Sequence, residues 1–131
     1  MHFLESPLCD FWLHESSIKQ IDIDASRIII NFDNGFWNKN HEQLKECKMI
    51  INISPLNYSN VNSFFSVKKR GYFNKEISPE SFLKRLKKDH FVIDVEYYSE
   101  FEKSILLVGR ILDVEMEIKI TDIDCISFLY L

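Results

Sequence analysis

Apolar and polar residues alternate with a period of two along most of this chain, which is the pattern of half-buried β-strands. Residues 17–23 place Ile21 and Ile23 on one face, but Ile18 breaks the alternation, so a bulge is expected near Lys19 and Gln20. A turn at Asp24-Ala25-Ser26 leads to residues 27–33, where Ile28, Ile30 and Phe32 share a face opposite Arg27 and Asn31. Asn34-Gly35 is the strongest short turn signal, because both residues accept positive φ. Phe36 and Trp37 then begin a third strand or its stub. Residues 45–54 alternate again, with Cys47, Met49, Ile51 and Ile53 on one side, and residues 55–60 form the clearest loop. Residues 63–69 read as a strand closed by Lys68-Lys69-Arg70-Gly71.

The period changes once. Ser78 is suited to cap a helix N-terminus, Pro79 to the first helical position and Glu80 to the positive helix end. Phe82, Leu83 and Leu86 make an apolar stripe at helical spacing, opposite Lys84, Arg85, Lys87 and Lys88. The spacing predicts one main α-helix over about 79–89. Three strands follow. Residues 90–99 set Phe91, Ile93, Val95 and Tyr97 against Val92, Asp94, Glu96 and Tyr98. Residues 104–112 are apolar on both faces, as in a central strand covered on both sides. Residues 115–121 set Met116, Ile118 and Ile120 against Glu115, Glu117 and Lys119, and residues 122–131 continue as a bent or separate strand. The short connections favour antiparallel hairpins. The first 14 residues, with Phe3, Leu4, Leu8, Phe11, Trp12 and Leu13, are too apolar for a loose tail and are expected to pack on the core. The expected class is α+β: a mainly antiparallel twisted sheet or partial barrel of about seven strands with one helix, in a single domain over residues 1–131.

Composition agrees with this. In 131 residues there are only 3 Gly and 3 Pro and a single alanine, Ala25, while Ile, Val and Phe are plentiful, which favours strand over helix. Three cysteines at wide spacing, Cys9, Cys47 and Cys125, are not a disulfide framework and suit a reducing compartment. The N-terminus lacks the basic start and apolar core of a signal peptide, and no apolar run approaches a membrane span, so a cytoplasmic location is expected.

Catalytic motifs are missing. There is no Gly-x-Ser-x-Gly elbow or Ser-x-x-Lys pair. Gly35, Gly71 and Gly109 cannot assemble a phosphate cradle. His14-Glu15 and His41-Glu42 begin like a zinc-protease motif, but neither has a second His four positions after the first, and no Cys-x-x-Cys occurs. No enzyme activity, cofactor or metal is therefore expected. A carboxylate pair such as Asp94 with Glu96, or Glu115 with Glu117, is more simply a solvated acidic sheet face than an acid–base site.

Binding remains. The formal net charge of −4 argues against general nucleic-acid binding and fits a basic protein partner. Strand alternation places Asp94, Glu96, Tyr98, Glu115 and Glu117 as the expected partner-binding face, with Tyr97 and Tyr58 nearby. The alternative is a small β-rich nucleic-acid-binding domain using Lys68, Lys69, Arg70 and the basic helix face, with Phe64, Phe65, Tyr72 and Phe73 beside it. An exposed sheet edge would also permit a homodimer.

The segments His14-Glu15-Ser16-Ser17-Ile18-Lys19-Gln20-Ile21, Ile28-Ile29-Ile30-Asn31-Phe32, Asn34-Gly35-Phe36 and Ile118-Lys119-Ile120-Thr121-Asp122-Ile123 carry a resemblance that extends over most of the chain. In order and character they resemble bacterial immunity proteins of contact-dependent growth inhibition and other polymorphic toxin systems. Glu15 stands where similar domains more often have Asp. The resemblance implies a cytosolic protein that binds a cognate toxin domain, often a nuclease with a basic active site, and blocks it. It assigns no binding residue.

Overall fold

The computed structural model describes residues 2–5, 11–13, 15–24, 27–33, 37–38, 42, 47–54 and 61–130. The Asn34-Gly35 turn, the 55–60 loop with Tyr58, Cys9, His14 and His41 lie outside the described residues.

Twelve strands are described: β1 (His2–Glu5), β2 (Phe11–Trp12), β3 (Ser17–Asp24), β4 (Arg27–Phe32), β5 (Trp37–Asn38), β6 (Cys47–Ile53), β7 (Phe65–Lys69), β8 (Lys75–Ile77), β9 (Phe91–Ser99), β10 (Ser104–Ile111), β11 (Val114–Ile120) and β12 (Ile123–Tyr130). Helix α1 (Pro79–Leu86) lies between β8 and β9. Ten of the strands form one open sheet in the order β1-β12-β6-β4-β3-β9-β10-β11-β7-β8, and β2 and β5 form a separate ribbon. All pairings are antiparallel. The α+β class holds, but the expected seven strands were too few. The strands that the pattern did not mark are short: β1, β2 and β8 span four, two and three residues, too few for alternation to be read.

The sheet has a seam. β3 pairs with β9 through only two residues on each strand, Ser17 with Val92 and Ile18 with Phe91. From this joint the two strands run in opposite directions. Glu15 and Ser16 continue beside β9, where the Glu15 N–H donates to the Ile93 carbonyl at 2.7 Å and the Ile93 N–H donates to the Ser16 carbonyl at 2.9 Å. Helix α1 fills the other fork and contacts β3 and β7. One apolar cluster spans both halves, joining Ile18, Ile28, Ile30, Met49, Ile51 and Phe128 with Phe65, Phe82, Phe91, Leu107 and Ile118. Phe82 of α1 sits between Phe65 and Phe91, with ring centroids 6.5 and 6.1 Å away.

The helix starts as expected. The Ser78 side chain accepts from the Ser81 N–H at 3.2 Å and Pro79 occupies the first turn. The regular helix ends at Leu86, and residues 87–89 are turns. The bulge expected in β3 is present: the pairing slips between Ile18 and Gln20, so Lys19 is the extra residue. β10 is central, between β9 and β11, but its second face is only partly covered, with Val108 buried, Leu106 half-buried and Arg110 exposed. Leu13, from the apolar opening, is fully buried.

Candidate functional site

The expected acidic face is divided by a bulge. Along β9 the partners on β10 pass from Val95–Val108 directly to Ile93–Gly109, which leaves Asp94 as an extra residue. Directly opposed residues of an antiparallel pair share a face. Before the bulge, Ile93 faces the core with Gly109. After it, Glu96 lies opposite Leu107 and Tyr98 opposite Ile105, on the core side. Val95 and Tyr97 turn to the outer face instead, opposite Val108 and Leu106. The expectation that Asp94, Glu96 and Tyr98 share a face with Glu115 and Glu117 is thus corrected. Asp94, Glu115 and Glu117 lie on the outer face, and Glu96 and Tyr98 on the other.

The outer carboxylates are also neutralised across the strands. Asp94 pairs with Arg110 at 3.6 Å, Glu115 with Arg70 at 3.1 Å and Glu117 with Arg70 at 3.8 Å, while Lys68 stands directly opposite Glu117. This is a lattice of both signs, in place of the expected acidic patch. Such partly exposed pairs are worth about 0–1 kcal/mol each.

The acidic surface lies at the β9–β10 hairpin. There Glu100 and Glu102 flank the tip, and Asp122 and Asp124 flank Ile123 beside Lys103. One contact brings these segments together: the Ile123 N–H donates to the Lys103 carbonyl at 3.1 Å. Glu96 lies farther along β9 on the core side, where its Oε1 accepts from the Leu13 N–H at 3.4 Å, and Lys119, opposite Leu106, is on the outer face. Asp124 is itself a bulge residue, because the partners on β6 pass from Ile53 for Ile123 to Asn52 for Cys125. Phe101 stands at the hairpin tip between Glu100 and Glu102 and is 97% exposed. The tip is braced: the Glu102 N–H donates to Ser99 Oγ at 3.0 Å, Ser99 pairs with Ser104, and Lys103 takes φ 51° to close the loop. Tyr97, 59% exposed, flanks the tip on the outer face and Tyr98 on the other. Phe101 was legible only as a phenylalanine between two glutamates in a short connection, where a solvent-facing polar residue is usual.

Other chemistry is sparse. Among the described residues no group of His, Cys, Asp and Glu is placed to hold a metal ion. A groove between β3 and α1 is lined by Gln20, Ile21, Asp22, Ile23, Leu83, Leu86 and Lys87, and a second by Asn62, Ser66, Val67, Glu76, Ile77, Ser78 and Pro79. Neither lining assembles a nucleophile with a base. Cys47 is buried, and burial pushes its thiol up to about 12, where it is inert as a nucleophile. No described helix is long and apolar enough to cross a membrane.

Of the basic residues expected at a nucleic-acid surface, Arg70 is engaged by Glu115 and Glu117. Phe64 and Phe65 are core residues, whereas Tyr72 and Phe73 are exposed. The basic end of α1 lies elsewhere, with Lys87 beside β3.

The geometry therefore defines an open-sheet α+β protein whose most distinctive surface is an acidic, aromatic hairpin end. Comparison with protein-family models, curated proteins and solved structures finds no match for the chain.

Proposed function

We propose that the chain is an immunity-type inhibitor: a cytosolic, non-enzymatic protein that binds a basic toxin domain and neutralises it by occlusion. The observation that carries this is the braced hairpin tip, with Phe101 almost wholly exposed between Glu100 and Glu102 and with Asp122 and Asp124 flanking Ile123 where it meets Lys103. A preorganised aromatic anchor loses little entropy on burial, and hot spots are enriched in such residues. The surrounding carboxylates steer a basic partner and set register. The interface is accordingly moved from the outer face to the hairpin end. Glu96 and Tyr98 are retained from the expected patch, Tyr97, Glu100 and Phe101 join it, and Asp94, Glu115 and Glu117 leave it.

The test is affinity capture with the full chain from its native cell, followed by measured binding of the captured partner. A basic protein encoded beside this gene is the expected partner. Phe101→Ala should weaken binding at least tenfold, a loss of about 1.4 kcal/mol or more. Glu100→Lys should slow association and flatten its salt dependence, whereas Glu117→Lys should do neither. A partner whose affinity is untouched by both hairpin substitutions would sink the proposal.

A further inference from the structure

At the end of the sheet opposite Phe101, the β7–β8 hairpin has features that the inhibitor reading does not use. β8 is the edge strand, and Lys69 and Lys75 are directly opposed across the hairpin. Like charges in that position repel. Among the described residues neither lysine has an ion-pair partner. The turn between them carries Tyr72, 97% exposed, and Phe73, 83% exposed, with ring centroids 5.0 Å apart and planes at 80°. The base of the turn is held by the Arg70 N–H, which donates to the Glu115 carbonyl at 2.9 Å, and by the Arg70 guanidinium on Glu115.

We infer that this hairpin binds single-stranded nucleic acid, with a backbone phosphate between Lys69 and Lys75 and bases stacked on Tyr72 and Phe73. A phosphate between the lysines removes the repulsion that the bare hairpin carries. Aromatic rings flanking a cationic pair are the combination that holds single strands with little regard to sequence. A flat anionic surface would meet Glu76, opposite Lys68, together with the lysines, whereas a single flexible strand can follow the rings and the lysine pair alone. A duplex fits less well because its bases are not free to stack on the rings. Only this one lysine pair flanks the rings, so affinity is weak, with Kd on the order of 10 μM at low salt.

The experiment is fluorescence anisotropy of labelled oligo(dT) and oligo(rU), each of about twelve nucleotides, with the full chain at low and at physiological salt. Both oligomers should bind at low salt, and a duplex of the same length should compete poorly. Tyr72→Ala with Phe73→Ala should weaken binding by roughly tenfold or more. Lys69→Ser with Lys75→Ser should lower the salt slope by about 0.7, for the one phosphate no longer neutralised. All four side chains are exposed or at the sheet edge, and circular dichroism should show both double variants folded. No saturable binding at low salt overturns the inference. So does binding that survives both double variants, or binding of phosphatidylserine vesicles without binding of either oligomer. Phe101→Ala should leave oligonucleotide binding unchanged, so failure here is distinguishable from failure of the inhibitor proposal.

Discussion

A β-carbon built on Gly109 would stand 2.0 Å from the Val92 carbonyl oxygen and 2.8 Å from the Phe91 ring. Glycine is needed there because the β9 bulge brings the two backbones together, at the point where Asp94 is left out of the ladder. Gly109→Ala should therefore cost about 3 kcal/mol, at the upper end for overpacking, measured by urea denaturation. The sequence marks this glycine only as one of three, and its role depends on a strand pairing that no local pattern announces. Cys47 is a second residue whose environment is set by long-range packing. Its thiol is pushed up by burial, from 9.0 to about 12, so between those values the folded state holds a proton that the unfolded state has lost. The stability contribution of Cys47 is thus fully present below about pH 9 and declines as pH rises toward 12. The stability difference between wild type and Cys47→Val should be constant from pH 6 to about 8.5 and move in favour of the variant above that. A difference that stays level through pH 11 would contradict the buried-thiol account.

At the scale of elements, the helix start and the β3 bulge were legible and the β9 bulge was not, for a definite reason. A bulge shifts the core-facing positions by one, so two buried residues come to be separated by three. In β3 those residues are Ile18 and Ile21, and the break is visible in the sequence. In β12 they are Ile123 and Ile126, around Asp124. In β9 the position after the break is Glu96, which is not apolar, so the shift leaves no trace and the strand reads as regular. That one hidden slip put Glu96 and Tyr98 on the wrong face. The cross-strand cations Arg70 and Arg110 were hidden in the same way, because their pairing with Glu115, Glu117 and Asp94 depends on register across β7, β10 and β11. The helix start needs no such long-range information. Ser78 and Pro79 act within one turn, and Ser78→Ala should cost about 1 kcal/mol by loss of the bond from the Ser81 N–H, seen as a lower melting temperature.

At the scale of the whole molecule, the question is whether a sheet joined by a two-residue ladder behaves as one cooperative unit. The connectivity says that it does. The chain makes β3, β4 and β6 in one half, crosses to β7 through β11 in the other, and returns to place β12 between β1 and β6. The return is fastened at both sides of the seam. The Ser54 N–H donates to the Asp122 carbonyl at 2.9 Å, and the Thr121 N–H donates to the Phe64 carbonyl at 2.9 Å. Neither half has a core of its own, because the residues of both belong to one buried cluster into which α1 inserts Phe82 and Leu86. Ile18 lies at the joint, fully buried and opposite Phe91. Ile18→Ala should therefore lower global stability by about 3 kcal/mol. Native-state hydrogen exchange should show the loss equally in β4 and in β10, which lie on opposite sides of the seam. If protection fell in β4 while β10 kept its wild-type value, the halves would be separate folding units, and the hairpin end bearing Phe101 would be supported by its own half alone.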